Sequence, residues 1–216
     1  MPIKHLMKKS LLLLLVFLTS ATILIAQEKR INAYYSATFD DSFQTYNSSI
    51  DYSSGKIKGG VQWGAGLEFK VNEDYGAELM YLRQDTDVEV NSFSAGYRKM
   101  DISVNYYLLG INRYFKEGKV EPYGSFLIGA SYFSNKTPVS GDPSSVTKFA
   151  LGFRLGTNIW VSERVGIKLQ AQFLSSIQGF GGGFFFGTGG SGVGVSTFSS
   201  ITQLNLGGGL VFKIGQ

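Results

Sequence analysis

The clearest pattern along the chain is an alternation of apolar and polar residues with a period of two. From Val165 to Phe173, apolar side chains at odd positions alternate with glycine, lysine and glutamine at even positions. Such alternation predicts a β-strand with one apolar and one polar face. Three other stretches show the same pattern: 61–71, 149–161 and 203–214. Each is about as long as a tilted strand that crosses a bilayer, which needs about 9–11 residues.

Four further strands are predicted with a weaker pattern, and they cover 31–39, 75–84, 102–115 and 120–133. Both faces of the third are apolar between Tyr106 and Ile111, so its inward face stays undecided. Pro122 fits the start of a strand, where a missing N–H is tolerated. After residue 26 no segment approaches the 18 apolar residues of a membrane-spanning helix. The sequence therefore predicts an all-β protein, an eight-stranded antiparallel up-and-down transmembrane β-barrel.

The predicted connections alternate between short and long. Short turns occupy 72–74, 116–119 and 162–164, whereas the long loops are 40–60, 85–99, 134–146 and 175–200. Short turns at one rim and long loops at the other are typical of bacterial outer-membrane barrels. Aromatic residues near the strand ends predict two interfacial girdles, one at each rim. The short-turn rim would carry Tyr75, Tyr114, Tyr123 and Trp160, and the long-loop rim Trp63, Tyr132 and Phe149.

The N-terminus has the three parts of a secretory signal. Lys4, Lys8 and Lys9 precede the apolar run 11–18, and small residues follow it. We expect cleavage after Ala26, with cleavage after Ala21 as the alternative. Residues 1–26 are then the signal peptide, and residues 27–216 form the barrel domain.

The C-terminal strand carries a short motif of the form polar–x–Gly–x–x–apolar–x–apolar, filled by Asn205, Gly207, Leu210 and Phe212. The motif resembles the assembly signal of outer-membrane barrels, although four residues follow Phe212 here. With the signal peptide and the strands, the mature chain resembles the small porin-like barrels of the OmpA, OmpX and OmpW kind, common in Bacteroidota. The resemblance implies the bacterial outer membrane, and with it the barrel-assembly machinery, membrane lipid, lipopolysaccharide and other outer-membrane proteins as partners.

Composition excludes several classes of function. The formal net charge is +4, but three lysines of the signal account for most of it, so the basic balance is no argument for nucleic acid. The chain has no cysteine, and its one histidine, His5, lies in the signal. The known proteases, phospholipases and lipid-modifying enzymes of the outer membrane use histidine. We therefore expect no enzymatic activity, no cofactor and no metal site in the mature protein.

The polar strand faces carry charges that would lie inside the barrel. Eight strands leave a bore that side chains just fill, and buried charges need partners. We expect a network of ion pairs that closes the lumen; the alternative is a path for polar solutes. Its predicted members are Glu68, Lys70, Glu78, Arg113, Arg154, Lys168 and Lys213.

Asp85, Asp87 and Glu89 form an acidic cluster in the second long loop. We expect a solvated acidic loop there, and the alternative is a calcium site built from alternating carboxylates. For the whole protein we expect a structural or interaction role, either in membrane integrity or as an accessory subunit of a larger complex. The alternative is a diffusion channel or transporter for small or apolar solutes.

Overall fold

The computed structural model describes residues 28–46, 52–92, 96–115, 118–136, 145–177 and 201–214. The signal peptide and its cleavage site lie outside these residues, and both stay predictions. No helix within the described ranges is long and apolar enough to cross a membrane. The described part of the chain forms ten strands: β1 (Lys29–Thr38), β2 (Asp41–Tyr46), β3 (Tyr52–Ile57), β4 (Gly60–Lys70), β5 (Tyr75–Ser92), β6 (Gly96–Tyr114), β7 (Val120–Asn135), β8 (Ser145–Trp160), β9 (Val165–Ile177) and β10 (Ile201–Ile214).

Eight of these strands close into an antiparallel barrel, in the order β1, β4, β5, β6, β7, β8, β9, β10. The first and last strands seal the ring along the whole length of β1, from Lys29 opposite Ile214 to Thr38 opposite Asn205. Closure pairs every barrel strand on both sides, which is the condition for a sheet to span a bilayer. The predicted fold class is confirmed.

Two of the predicted long loops are instead largely strand. The β2–β3 hairpin continues the register of β1 and β4, since Thr38 faces Gly60 and Asp41 faces Ile57. The predicted loop 85–99 is also a hairpin, because β5 and β6 stay paired up to Ser92 and Gly96. In a β-ladder the backbone N–H and C=O groups of a long connection form hydrogen bonds with each other, whereas in a water-exposed loop they bond to solvent. The other two long connections fall mostly outside the described residues.

The outward face of the barrel is a belt of exposed large apolar side chains, and each barrel strand contributes to it. This is the surface expected next to lipid. Trp63, Tyr81 and Tyr107 lie in contact near the long-loop rim, with ring centroids 6.3 and 5.4 Å apart. Tyr114, Tyr123 and Trp160, in contrast, face inward at the short-turn end, so their prediction as girdle residues was wrong.

The interior has two zones. Towards the short turns it is polar and charged, as predicted. Towards the long loops it is a packed apolar cluster, which the sequence prediction of a polar lumen missed. The cluster is formed by Tyr34, Ile57, Met80, Leu82, Val88, Ile102, Val104, Tyr106, Leu108, Leu127, Phe133, Ala150, Leu174 and Ile201.

Candidate functional site

The polar zone of the interior is a continuous set of side chains that we call the lumen network. It contains three buried carboxylates, and cations, amides and phenols surround them. Inward positions of seven strands supply its members, because alternate residues of each strand point into the bore. They are Arg30, Asn32, Tyr34, Glu68, Lys70, Glu78, Asn112, Tyr114, Glu121, Tyr123, Arg154, Asn158, Lys168, Gln170 and Gln172.

Glu78, on β5, is the centre of this network. Its carboxylate accepts hydrogen bonds from the amide of Asn32 at 2.8 Å and from the hydroxyl of Tyr34. The guanidinium of Arg154 donates to it at 3.3 Å from the far side of the bore. Both charged side chains are fully buried. A buried ion pair is stable only when further hydrogen bonds satisfy both partners, and this one has them.

Arg154, on β8, is held by four more contacts, one of them from its guanidinium to the Met80 sulfur at 2.6 Å. It donates to the Gln172 side chain and to the Tyr34 hydroxyl, each at 3.0 Å. The guanidinium also lies 4.8 Å from the centre of the Tyr34 ring. This planar group thus joins strands on opposite sides of the bore through directional bonds, which a lysine in its place would not reproduce.

A second ion pair crosses the bore close to the short turns. Arg30, on β1, donates to both oxygens of Glu121, on β7, at 2.7 and 3.0 Å. Asn158 donates to the same carboxylate at 2.8 Å. β1 and β7 stand diametrically opposite in the ring, so this bidentate pair spans its full width.

The third carboxylate, Glu68, forms no ion pair among the described residues. It accepts from Asn32 at 3.1 Å and from the Tyr114 hydroxyl at 2.5 Å. Glycines make room for these acids: a Cβ on Gly66 would lie 2.1 Å from Glu78 Oε1, and one on Gly76 would lie 2.5 Å from Glu68 Oε1. The glycines of the polar strand faces therefore have a steric role here.

The remaining amines of the network rest on aromatic rings. Lys70 Nζ donates to the backbone oxygen of Glu73 at 2.7 Å and lies 3.9 Å from the Tyr114 ring centre. Lys168 Nζ lies 4.4 Å from the Tyr123 ring centre and has no hydrogen-bond partner within the described part of the chain. Cation–π contacts replace part of the hydration that these amines lose on burial.

The structure places most of the predicted lumen residues as the sequence suggested. Glu68, Lys70, Glu78, Arg154 and Lys168 are all buried in the bore. Lys213 sits at the short-turn mouth, half-exposed, where it pairs with Glu28 at 3.3 Å.

Arg113 is the exception, and its placement in the lumen was wrong. It lies on the outward face of β6, because the inward positions of this strand are the even ones, among them Asn112 and Tyr114. Both faces of the preceding segment are apolar, so the sequence does not show which of its positions point inward.

Sequence reasoning also missed Arg30 and Glu121. Arg30 precedes the predicted start of its strand by one residue, although its alternation with Asn32 and Tyr34 carried the signal. Glu121 adjoins Pro122, which indicates only the start of a strand. Both residues lie one strand position from a rim.

The acidic cluster lies on the outward face of the extended β5–β6 hairpin, beyond the apolar belt. Each carboxylate pairs with a cation: Asp85 with Arg83 and Lys136, Asp87 with Lys99, and Glu89 with Lys58, all at 2.6–2.9 Å. We call this surface the ion-pair wall. Hydrogen bonds from these cations hold the pKa of each of the three carboxyls below its usual range. The described residues contain no group of acids arranged for a metal ion.

The residues of the C-terminal motif lie on β10. Asn205 is buried and bonds to Thr38 of the closing strand, and Gly207 lies against the backbone of Tyr35 and Ser36. Leu210 and Phe212 are on the lipid side, opposite Ala33 and Ile31. The motif thus lies along the seam that closes the barrel; its role as an assembly signal stays a prediction.

Comparison with known proteins establishes the fold. No protein-family model and no curated protein matches the chain. Neisserial surface protein A, a crystal structure, aligns with 86% of this chain and 97% of its own at 15% identity, with a TM-score of 0.50. The solid-state NMR structure of outer membrane protein AlkL in lipid bilayers aligns with 88% and 91% at 12% identity, with a TM-score of 0.56. Both share the fold of small outer-membrane barrels, and with the apolar belt this fold assigns the chain to the bacterial outer membrane.

Proposed function

We propose that this outer-membrane barrel is a closed barrel with a structural or interaction role, without enzymatic activity and without a solute channel. The observation that carries the proposal is the set of contacts across the bore. Arg30 meets Glu121 at the short-turn end, Arg154 meets Glu78 further in, and the Tyr106 hydroxyl donates to Gln203 at 3.0 Å within the apolar zone.

These contacts join strands that are far apart in the ring. β1 and β7 are opposite one another, as are β6 and β10, and three steps separate β5 from β8. A hydrated ion needs a continuous aqueous path, and side chains that touch across the bore at three levels remove it. The width of an eight-stranded barrel makes such filling the expected state.

The apolar zone supports the proposal independently. Leu108, Leu127 and Leu174 are almost fully buried inside the barrel. Buried polar side chains such as Gln203, directly opposite Leu174, pack among these leucines, so a hydrated ion that entered from the long-loop end would meet packed side chains. Side chains thus occupy the bore in both zones.

The ion-pair wall supports the interaction part of the proposal. β5 and β6 have 18 and 19 residues, whereas a tilted strand crosses the bilayer with about 9–11. The excess forms a paired sheet beyond the lipid, with charges of both signs on its outer face. Such a surface is suited to contacts with polar lipid headgroups or with neighbouring outer-membrane proteins, and complementary charge would give these contacts specificity.

Deletion of the gene distinguishes a structural barrel from a channel by the sign of its effect. A structural role predicts that deletion raises the entry of large apolar dyes and the sensitivity to detergent, because the membrane is weakened. It predicts no loss of uptake of small polar solutes. Expression of the wild-type chain in trans should restore both properties.

The opposite result would contradict the proposal. Reduced uptake of small solutes in the deletion strain, with an unchanged detergent barrier, would establish the channel function in its place.

A further inference from the structure

Arg113 is a charged side chain on the lipid-facing surface, and neither the fold nor the lumen network accounts for it. It points outward from β6 and is exposed. Its neighbours on that face are apolar: Ile111, Phe115 and Val120 are all exposed. Phe115 and Val120 lie closer to the short-turn rim than Arg113 does. The guanidinium therefore lies inside the apolar belt, near its short-turn edge.

Two aromatic rings flank this guanidinium. Its central carbon lies 5.1 Å from the centre of the Phe115 ring and 5.8 Å from that of Tyr75. Tyr75 is the residue directly opposite Arg113 on β5. Aromatic rings at a membrane interface mark the level of the lipid headgroups. The arginine is therefore held at the level where phosphates lie.

No described carboxylate forms an ion pair with Arg113. Glu73 and Asp74, in the adjacent short turn, are both described, and neither forms an ion pair or a side-chain hydrogen bond with it. The cations of the ion-pair wall, in contrast, each have an acidic partner. An arginine near lipid needs an anionic counterion or water, and phosphate matches the donor pattern of a guanidinium.

A notch adjoins the arginine on its other side. Gly124, on β7, lies directly opposite Arg113 and carries no side chain on the outward face. A Cβ built there would meet only Leu155 Cδ2, at 3.6 Å, so there is space beside the guanidinium at the surface of the barrel. The exposed Leu155 side chain borders this space on the far side.

We propose that Arg113, Tyr75 and Gly124 form a binding site for one phospholipid of the periplasmic leaflet. The lipid phosphate accepts hydrogen bonds from the Arg113 guanidinium. The glycerol and the start of an acyl chain lie in the notch over Gly124, against Leu155. The rings of Tyr75 and Phe115 limit the motion of the arginine and orient it towards the headgroup.

The test is native mass spectrometry of the folded protein, released from mild detergent with added dioleoyl phosphatidylethanolamine. The wild type should retain one tightly bound phospholipid. Arg113→Gln should lower its occupancy by about tenfold, the effect of one charge-assisted hydrogen bond. Dioleoylglycerol, which lacks the phosphate, should not be retained. Heat-modifiable migration in gels confirms that each variant is folded.

Three variants sharpen the result. Lys119→Gln removes an exposed cation from the next turn of the same rim and should leave the occupancy unchanged. Gly124→Val fills the notch without contact with the backbone and should lower the occupancy while Arg113 remains. Glu117→Gln, at a position outside the described residues, should leave the occupancy unchanged, because the counterion is the lipid.

Several outcomes would overturn the proposal. They are an unchanged occupancy in Arg113→Gln, an equal loss in Lys119→Gln, or displacement of the lipid by inorganic phosphate at the same concentration. A marked rise in Glu117→Gln would identify that acid as the counterion instead. An unaffected Gly124→Val would overturn the placement of the glycerol.

Discussion

Buried charge is the main feature of this protein at the scale of single residues. The interior combines Arg30, Arg154 and Lys168 with three glutamates, and it holds them with amides and phenols. A buried ion pair of this kind adds little net stability compared with apolar residues of the same volume. The loss of one partner, however, leaves the other charge isolated. The network is therefore sensitive to single substitutions.

Arg154→Ala should destabilise the folded barrel by about 3–5 kcal/mol, because Glu78 would lose its only ion-pair partner among the described residues. The measurement is equilibrium unfolding in urea, in the presence of lipid bilayers. Lys136→Ala is the matched control: it removes a half-exposed cation of the ion-pair wall and should cost less than about 1 kcal/mol. An equal loss of unfolding free energy in the two variants would show that the Arg154–Glu78 pair stabilises the barrel no more than a surface ion pair does.

Which charges face the lumen could be predicted where the alternation was clean. In β4 the apolar Trp63 and Leu67 lie at odd positions, and Glu68 and Lys70 lie at the even positions between apolar residues. Arg154 and Lys168 alternate with apolar residues in the same way in their own strands. The face of Arg113 could not be predicted, because Leu108 and Leu109 are consecutive apolar residues. Without alternation, the sequence does not show which positions of this strand point inward. One Leu fills the lumen and the other faces lipid, a difference that only the closed barrel defines.

The β5–β6 hairpin is the most distinctive element. Its outward face changes from apolar to charged between Tyr81 and Arg83, whereas its inward face continues with Gln84 and Val88. The sequence 85–90 already alternates acidic and other residues, so the strand signal was present. The length and the charge of this segment both favour a connection, which is why the sequence predicts an acidic loop. The segment is a strand because it pairs with β3 on one side and with β6 on the other.

A change of pH should act on the ion-pair wall with a defined sign. A hydrogen bond from Lys99 lowers the pKa of Asp87 below the usual 3.8. The pair therefore stabilises the hairpin fully above pH 3.8, and its contribution is lost as the pH falls through the lower pKa of the folded state. Lys99→Met should raise the pKa of Asp87 towards 3.8, as followed by carboxyl NMR titration. Lys119→Met, at the opposite rim, should leave it unchanged; an equal shift in both variants would refute the pairing.

The apolar belt can be tested along one strand. Phe153 lies midway along the outward face of β8 and is 59% exposed, and Val161, just past the end of the strand, is 60% exposed. Phe153→Arg should cost about 2–4 kcal/mol of bilayer folding free energy, whereas Val161→Arg should cost about 0–1, because the penalty for a charge falls towards the interface. Equal yields of folded protein for the two variants would contradict the assigned depth of the belt.

The whole molecule is a ring whose last strand returns to its first, with an interior filled in two zones. Eight strands, short turns and a lipid-facing belt could be predicted from local pattern alone, since each depends on neighbours in sequence. The cross-bore pairs could not, because Arg30 and Glu121 are 91 residues apart and meet only once the ring has closed. The apolar zone escaped prediction for the same reason: its residues come from eight of the ten strands.

The central claim is that the bore is closed, and single-channel recording in planar bilayers tests it most directly. Folded wild-type protein, verified by heat-modifiable migration, is reconstituted at known density, with heat-denatured protein as the control. Contacts at three levels across a narrow barrel predict a current indistinguishable from this control. A large, steady single-channel conductance from the pure wild-type chain would contradict the account.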